Sequence, residues 1–94
     1  MAQTAYNDRF PIPADTWTLI SEIDCTMVVE GGQVEVIGAA SQPAATVQGI
    51  SYANGQGFDA ATGTLARFAG DTAAGIYVMS RGKTSTVFLS RAAN

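Results

Sequence analysis

The chain has 94 residues, of which 47% are hydrophobic and only 14% charged, with a formal net charge of −3. This length predicts one domain with one modest core, and so few charges with ten glycines argue against a coiled coil and against highly charged disorder. Histidine is absent and cysteine occurs once, which excludes an internal disulfide, a cysteine-rich zinc site and a Cys–His dyad. The apolar runs are also too short for a membrane-spanning helix.

The first 15 residues differ from the rest because they lack a sustained periodicity and contain two prolines. Proline favours extended backbone and removes a hydrogen-bond donor, so residues 1–15 are predicted to be an extended N-terminal arm. Two interpretations remain open. The arm is a frayed terminus, or it packs its aromatic residues on its own domain or on a neighbouring subunit. In the second case the predicted interface residues of the arm are Tyr6, Arg9, Phe10, Pro11 and Pro13.

From Thr16 onward, short stretches rich in Val, Ile, Thr and aromatic residues alternate with turn-forming residues. This pattern predicts an all-β domain over residues 16–94, a small β-sandwich or jelly-roll-like barrel of about seven short antiparallel strands. Residues 60–66 could hold a helical turn, but Gly63 weighs against more than that. The predicted strands are Thr16–Ile20, Cys25–Glu30, Gln33–Ile37, Thr46–Tyr52, Thr64–Phe68, Gly75–Ser80 and Thr84–Ser90.

Gly31 and Gly32 stand between two apolar runs, which predicts a β-hairpin with a two-residue turn. In that register Val29 faces Val34 and Met27 faces Val36. Because side chains alternate along a strand, one face of this hairpin would be wholly apolar. The predicted core residues are those of this face and two from the first strand: Trp17, Leu19, Cys25, Met27, Val29, Val34 and Val36.

A second hairpin is predicted for Gly75–Ser80 and Thr84–Ser90, joined through residues 81–83. Both strands carry apolar residues on both faces, so each face would have to be covered by another part of the protein or by another subunit. In so small a domain, the second cover is expected from another subunit, which predicts a homo-oligomer. The predicted interface residues of this sheet are Tyr77, Met79 and Phe88.

Side chains that could carry chemistry are sparse. Eight acidic residues could supply the carboxylate pair of a glycosidase, but solvated turn positions are far more common for such residues. Asp59 and Asp71 lack the spacing of an EF-hand loop, and Cys25 is predicted to be a buried, inert thiol. No catalytic, metal or cofactor residues are predicted. A carbohydrate-binding module remains an alternative if Trp17, Tyr52 or Tyr77 forms an exposed stacking platform.

Charge is unevenly distributed along the chain. Residues 1–47 hold six acidic residues and one arginine, whereas residues 48–94 hold two acidic and four basic residues. Complementary poles of this kind could favour contacts between subunits, unless the fold interleaves the two halves. No run or stripe of basic residues is present, so nucleic acid is not an expected partner.

Three stretches resemble small structural proteins of tailed-phage virions: "WTLI" at Trp17–Ile20, "GGQVEV" at Gly31–Val36 followed by Ala39, Pro43 and Gly49, and a closing "YV" strand at Tyr77–Val78 with Thr86–Ser90. The likeness spans most of residues 14–92 and consists mainly of motifs common in β-sandwiches. It implies a capsid decoration (cement) protein, a homotrimer on the outside of the phage head that binds and stabilises the major capsid protein after synthesis in the host cytoplasm. Similar domains occur in tail or adaptor subunits and at the base of head fibres. A fibre would continue past this domain, so the end at Asn94 favours a free-standing cement protein.

Overall fold

A computed structural model describes residues 3–69 and 75–93. The described chain is mostly β-strand, with a single turn of 3-10 helix at Ala60–Thr62 and one short helix, α1, at Thr64–Ala69. The strands are β1 (Tyr6–Ile12), β2 (Thr18–Ser21), β3 (Thr26–Gly31), β4 (Gln33–Ala39), β5 (Ile50–Ala53), β6 (Gly57–Phe58), β7 (Gly75–Met79) and β8 (Ser85–Arg91).

The strands form two sheets of four. Sheet 1 has the order β1-β8-β3-β6 and sheet 2 the order β2-β7-β4-β5, and all the neighbouring strands are antiparallel. In both sheets, strands from the two halves of the chain alternate. The fold therefore interleaves the acidic and basic halves, and the two charge poles that the sequence could have produced do not form.

The pairing follows a single rule: β1 lies beside β8, β2 beside β7, β3 beside β6, and β4 beside β5. A chain folded back on itself in this way and rolled into two facing sheets is a jelly roll. The predicted all-β, sandwich-like fold class is confirmed. The structure has eight strands where the sequence predicts about seven.

The core lies between the two sheets and is built from alternate residues of the long strands. Alternation places one side chain inward and the next outward, so in the middle of β3, β4 and β8 every second residue is almost completely buried. The buried cluster comprises Ile12, Ile20, Cys25, Met27, Val29, Val34, Val36, Tyr52, Phe58, Ile76, Val78, Val87 and Leu89.

The N-terminal segment is extended, as predicted, but it is a strand of the domain itself. Residues 6–12 pair with β8 along their whole length, from Tyr6 opposite Arg91 to Ile12 opposite Ser85. Ile12 is completely buried, and this apolar anchor fixes the strand at the edge of sheet 1. Residues 6–12 of the predicted arm are therefore part of the β-domain that was predicted to begin at residue 16.

The predicted hairpin at Gly31 and Gly32 is wrong. β3 lies in sheet 1 and β4 in sheet 2, so the two glycines carry the chain from one sheet to the other. Both primed turns, I′ and II′, need positive φ at the first central residue; Gly31 does not have it, whereas Gly32 does, at 89°. The alternating pattern identifies which residues face the core, but it is satisfied equally when the strands lie across the core from one another.

The second predicted hairpin fails for the same reason. β7 pairs with β2 and β4, whereas β8 pairs with β1 and β3. Residues 81–83 thus also connect the two sheets, with Gly82 at a φ of 80°. Both strands are central in their sheets, which explains why both are rich in apolar residues.

Residues 64–68, predicted as a strand, form helix α1 instead. The Asp24 carboxylate accepts the backbone N–H of Leu65 at 2.8 Å and so satisfies one of the donors that a helix start leaves unpaired. Leu65 and Phe68 are three residues apart, which places them on one helix face, and both pack against the core. A five-residue segment is too short for this spacing to be distinguished from a strand by sequence alone.

Candidate functional site

The loop between β4 and β5, residues 40–49, crosses the outer face of sheet 2 and is called the strap below. Beneath it, Trp17 is 2% exposed and Met79 is completely buried, although neither belongs to the cluster between the sheets. Met79 lies opposite Glu35 on the neighbouring strand, and Glu35 is bonded to the strap. The strap thus provides the second cover that β7 was expected to obtain from another subunit.

Arg81 fastens the strap to the sheet. Its guanidinium group forms a two-point ion pair with the Glu35 carboxylate and donates to the carbonyl oxygens of Ala45, at 3.0 Å, and Val47, at 2.9 Å. The second Glu35 oxygen also accepts the backbone N–H of Gly49 at 3.0 Å. The hydrogen bond from Arg81 holds the pKa of Glu35 below its usual value, and that from Gly49 adds to this effect while burial opposes it. Both charged groups are therefore used in holding the strap.

Trp17 is the second attachment point of the strap. Its indole N–H donates to the carbonyl oxygen of Ala44 at 3.0 Å, and the Gln42 amide donates to the Trp17 carbonyl at 2.9 Å. Gly49 lies so close to the sheet that a Cβ there would stand 2.5 Å from the Val36 carbonyl oxygen and 3.0 Å from the Trp17 ring. The strap can lie flat on sheet 2 because this residue has no side chain.

Beside the strap, three apolar side chains form an exposed row across sheet 2. Leu19 and Ile37 each lie opposite Tyr77, one on either side of it. Leu19 is 37% exposed, and the other two are half-buried. Val47 of the strap is exposed to a similar extent. This exposed row, defined by Leu19, Ile37 and Tyr77, is an apolar surface on a rigid sheet and is suited to a protein contact.

The outer face of sheet 1 has a different character. Phe88 lies opposite Val28 on one side and Arg9 on the other. Arg9 and Glu30 form an ion pair of 2.9 Å whose arginine is largely exposed. An exposed pair of this kind contributes little to stability, so this face is a mixed polar surface with two apolar side chains.

A cleft of about 600 Å³ opens at the end of the sandwich where the sheet-to-sheet connections lie. The two serine hydroxyls at this cleft already have hydrogen-bond partners within the protein. The hydroxyls of Ser80 and Ser85 are 2.6 Å apart, and each also contacts the carbonyl oxygen of Gln33. Within the described part of the chain, the hydroxyls of these serines form hydrogen bonds only with each other and with Gln33. No general base is therefore placed to activate either serine, and the chain has no histidine. The residues that line the cleft are Gly32, Gln33, Val34, Glu35, Asn54, Met79, Ser80, Arg81 and Lys83.

The predicted arm residues divide into two groups. Tyr6 and Phe10 pack against the core of their own domain, with their rings 5.5 Å apart in an edge-to-face contact. The Arg91 guanidinium lies 5.6 Å from the Tyr6 ring, which helps to close this side of the sandwich. Arg9, Pro11 and Pro13 are exposed. The two aromatic residues are thus used within the chain and are not projecting anchors.

Some of the predicted sheet-interface and core residues lie where the sequence predicts, and others do not. Of the sheet interface, Tyr77 and Phe88 are half-buried, but Met79 is enclosed and cannot contact another subunit. Of the core, Leu19 is on the outer face because the inward position of β2 belongs to Ile20. Trp17 is buried, but under the strap. The other predicted core residues, all at most 1% exposed, are Cys25, Met27, Val29, Val34 and Val36.

The acidic residues in the described part of the chain do not form a cluster of three or more. Glu30 and Glu35 lie on different sheets, each paired with its own arginine. Within residues 3–69 and 75–93, no group of three or more potential metal ligands is present. Asp59 is exposed, whereas Asp71, which was weighed with it as a calcium ligand and set aside for lack of EF-hand spacing, lies outside the described residues. Burial raises the pKa of the Cys25 thiol to about 11.

Glu35 and Arg81, which fasten the strap to sheet 2, were not predicted from the sequence. They are 46 positions apart, and a single ion pair at that separation leaves no local signal. The cluster of Tyr52, Phe58 and Phe68, with ring centres between 5.0 and 6.3 Å apart, was likewise not predicted. Its three residues come from two strands and a helix.

No helix in the described part of the chain is long and apolar enough to span a membrane. The comparisons with known proteins found no matching family model, no similar curated protein and no similar solved structure.

Proposed function

We propose that this protein is a non-enzymatic structural protein of a phage virion, a cement protein that binds the outside of the head as a homotrimer and stabilises the lattice of the major capsid protein. The proposal rests on the motifs of the sequence and on one structural observation, the jelly-roll strand order. That order is common in viral capsid proteins and also in lectins, so it supports the role by analogy of fold. The exposed row on sheet 2 adds support, because it provides an apolar surface for a protein contact.

The exposed row provides a contact suited to assembly. Leu19, Ile37 and Tyr77 come from three adjacent strands, so their relative positions are fixed by the sheet. Burial of such side chains against another protein is favourable because it removes apolar area from water. We propose that this row forms the contact between copies of the chain. Many weak contacts of one copy with the lattice then add through multivalency.

A lectin-like role has less support from the aromatic residues. A sugar-stacking platform requires an exposed aromatic ring, and Trp17 and Tyr52 are 2% and 7% exposed. Tyr77 alone of the three candidates is partly accessible, and it lies between two aliphatic side chains of the exposed row. Added glycans are therefore expected to leave Trp17 fluorescence unchanged.

The oligomeric state is the first test. Light scattering over a concentration series is expected to approach three times the 9.7 kDa of one chain. The double variant Leu19→Ser/Tyr77→Ser should remain a monomer, because it removes the apolar contact. Val28→Ser is the matched control, since Val28 is as exposed as Leu19 but lies on the other sheet. A wild-type monomer at all concentrations would contradict the homotrimer, and a larger closed ring would favour the tail or adaptor alternative.

The partner is tested by co-sedimentation with heads assembled from the major capsid protein encoded in the same genome. Saturable binding with a fixed number of copies per capsid protein is expected, together with greater resistance of the heads to heat. Absence of co-sedimentation at saturating protein would overturn the cement role, whatever the oligomeric state.

A further inference from the structure

The outer side of β1 is a seven-residue strand edge, the longest in the described part of the sandwich. Backbone N–H and C=O groups on such an edge can pair with a strand of another molecule, which leads to strand addition or aggregation. The fate of the backbone groups on this edge therefore decides whether the domain can associate through it.

The middle of the edge is closed by two side chains of the same strand. The backbone N–H of Arg9 donates to the Asp8 carboxylate at 2.7 Å, and the Arg9 carbonyl oxygen accepts the Tyr6 hydroxyl at 2.6 Å. In an antiparallel strand, the N–H and C=O of one residue point to the same side. Because both groups of Arg9 bond to side chains and not to β8, they point to the free edge.

Alternation extends this assignment along the strand. Residues two positions apart direct their backbone groups to the same side, so Asn7 and Pro11 share the free edge with Arg9. Proline has no N–H. Of the three residues on this edge, one therefore has no donor and another has both groups occupied, which leaves Asn7 as the remaining donor.

The charge of Asp8 adds a second obstacle. Asp8 lies opposite Leu89 and thus on the core-facing side of the sheet, yet it is exposed because it stands at the edge. An inward-pointing charge on an edge strand would be buried by any strand added there. Strand addition would thus require both desolvation of this carboxylate and loss of its bond to Arg9.

The edge of β5 is capped in a similar way. The backbone N–H of Ala53 donates to the Gln56 side chain at 2.8 Å, and the Gln56 N–H donates to the Ala53 carbonyl at 2.9 Å. On β2, the Ile20 carbonyl oxygen accepts the Arg91 guanidinium. The fourth edge strand, β6, has only two residues.

We propose that Tyr6, Asp8 and Pro11 hold the β1 edge closed to strand addition. The inference goes beyond the proposed virion role and is independent of it. An opened edge would pair with the β1 edge of a second copy in antiparallel orientation. Such an isologous contact uses the same edge on both molecules and closes as a dimer.

The test is the triple variant Tyr6→Phe/Asp8→Ala/Pro11→Thr, which restores a donor at position 11 and uncaps Arg9. Light scattering is expected to show a rise in mass over the wild-type assembly, two-fold if that assembly is a monomer and at least two-fold if it is a trimer with three such edges. Hydrogen exchange should show new protection at the amides of Asn7 and Arg9 on association. The matched control is Tyr52→Phe/Asp59→Ala/Pro43→Thr, which makes the same chemical changes outside β1 and outside the exposed row and should leave the mass unchanged.

A folded triple variant with wild-type mass at all concentrations would overturn the proposal, as would association without protection at Asn7 and Arg9. If the triple variant does not fold, the double variant Asp8→Ala/Pro11→Thr decides, because both residues are exposed and the change removes the edge charge, uncaps the Arg9 N–H and restores a donor at position 11. This variant should associate at higher concentration with protection at Asn7. Absence of that protection at the highest soluble concentration would reject the proposal.

Discussion

Among single residues, Tyr52 stands out because its hydroxyl is buried without a hydrogen-bond partner in the described structure. Its ring packs edge to face against Phe58 at 5.7 Å and Phe68 at 6.3 Å, so the apolar part of the side chain is well placed. The hydroxyl, by contrast, loses its hydrogen bonds to water on folding. The free energy of this site is therefore a balance between a favourable ring and an unsatisfied polar atom.

Substitution Tyr52→Phe keeps the ring and removes the unsatisfied hydroxyl. We expect it to raise the free energy of unfolding by about 1 kcal/mol, since an unsatisfied buried polar group costs roughly that or more. Urea denaturation at neutral pH measures the effect. Tyr6→Phe is the control, because its hydroxyl is bonded to Arg9 and its loss should be slightly destabilising. Equal destabilisation by both changes would show that the Tyr52 hydroxyl has a partner.

Among the elements, the strap has the most specific requirement, which is the absence of a side chain at Gly49. Gly49→Ala would place a Cβ 2.5 Å from the Val36 carbonyl oxygen, and relief of this clash requires the strap to lift from Trp17. A loss of about 1–3 kcal/mol of stability is expected from such overpacking, together with a red shift of Trp17 fluorescence.

Gly31→Ala provides the matched control for the strap. A Cβ at Gly31 would meet only the Thr86 Cβ, at 4.0 Å, and the residue does not have positive φ. This variant should therefore retain wild-type stability and emission. If the two alanine variants behave alike, the strap does not lie as closely on sheet 2 as the structure shows.

The ion pair of the strap predicts a pH dependence. Because the pKa of Glu35 is lowered in the folded protein, ionised Glu35 stabilises the fold at pH values above its unfolded pKa, and this stability is lost as pH falls through the lower folded value. We expect Trp17 fluorescence and thermal stability to change below about pH 4.5, and Glu35→Gln to remove that change. Glu30→Gln, which alters the exposed pair with Arg9, should leave it in place. A persistent acid transition in Glu35→Gln would assign it to other groups.

At the scale of elements, sequence patterns predict strand segments better than strand partners. The inward residues of β3 and β4 follow from alternation alone. The sequence does not show that Gly31 and Gly32 link two sheets. For residues 64–68, Leu65 and Phe68 fit a helix and a strand equally well, and the contact with Asp24 decides between them.

In the whole molecule, all the strands depend on distant partners. The first and last strands pair from Tyr6 to Arg91, so the sandwich is complete only when both ends of the chain are in place. Such non-local pairing is typical of slowly folding β-proteins and favours a cooperative, all-or-none transition.

Cys25 reports on this global transition. The thiol is completely buried, and burial raises its pKa to about 11, so the reactive thiolate is scarce and inaccessible in the folded protein. We expect no reaction with a thiol reagent under native conditions and full reaction in denaturant, with a labelling rate that follows global unfolding. Rapid labelling of the native protein would show that the two sheets separate locally near β3.

The sequence by itself determined the fold class and most inward-facing positions, because alternation and turn-forming residues act over a few neighbouring positions. Only the tertiary structure decided which strands pair, that β1 belongs to sheet 1, and that the strap covers Trp17 and Met79. The physical reason is that burial of an apolar side chain is non-directional. Met79 gains equally from a second subunit or from the chain's own loop, and the distant pair of Glu35 and Arg81 selects the loop.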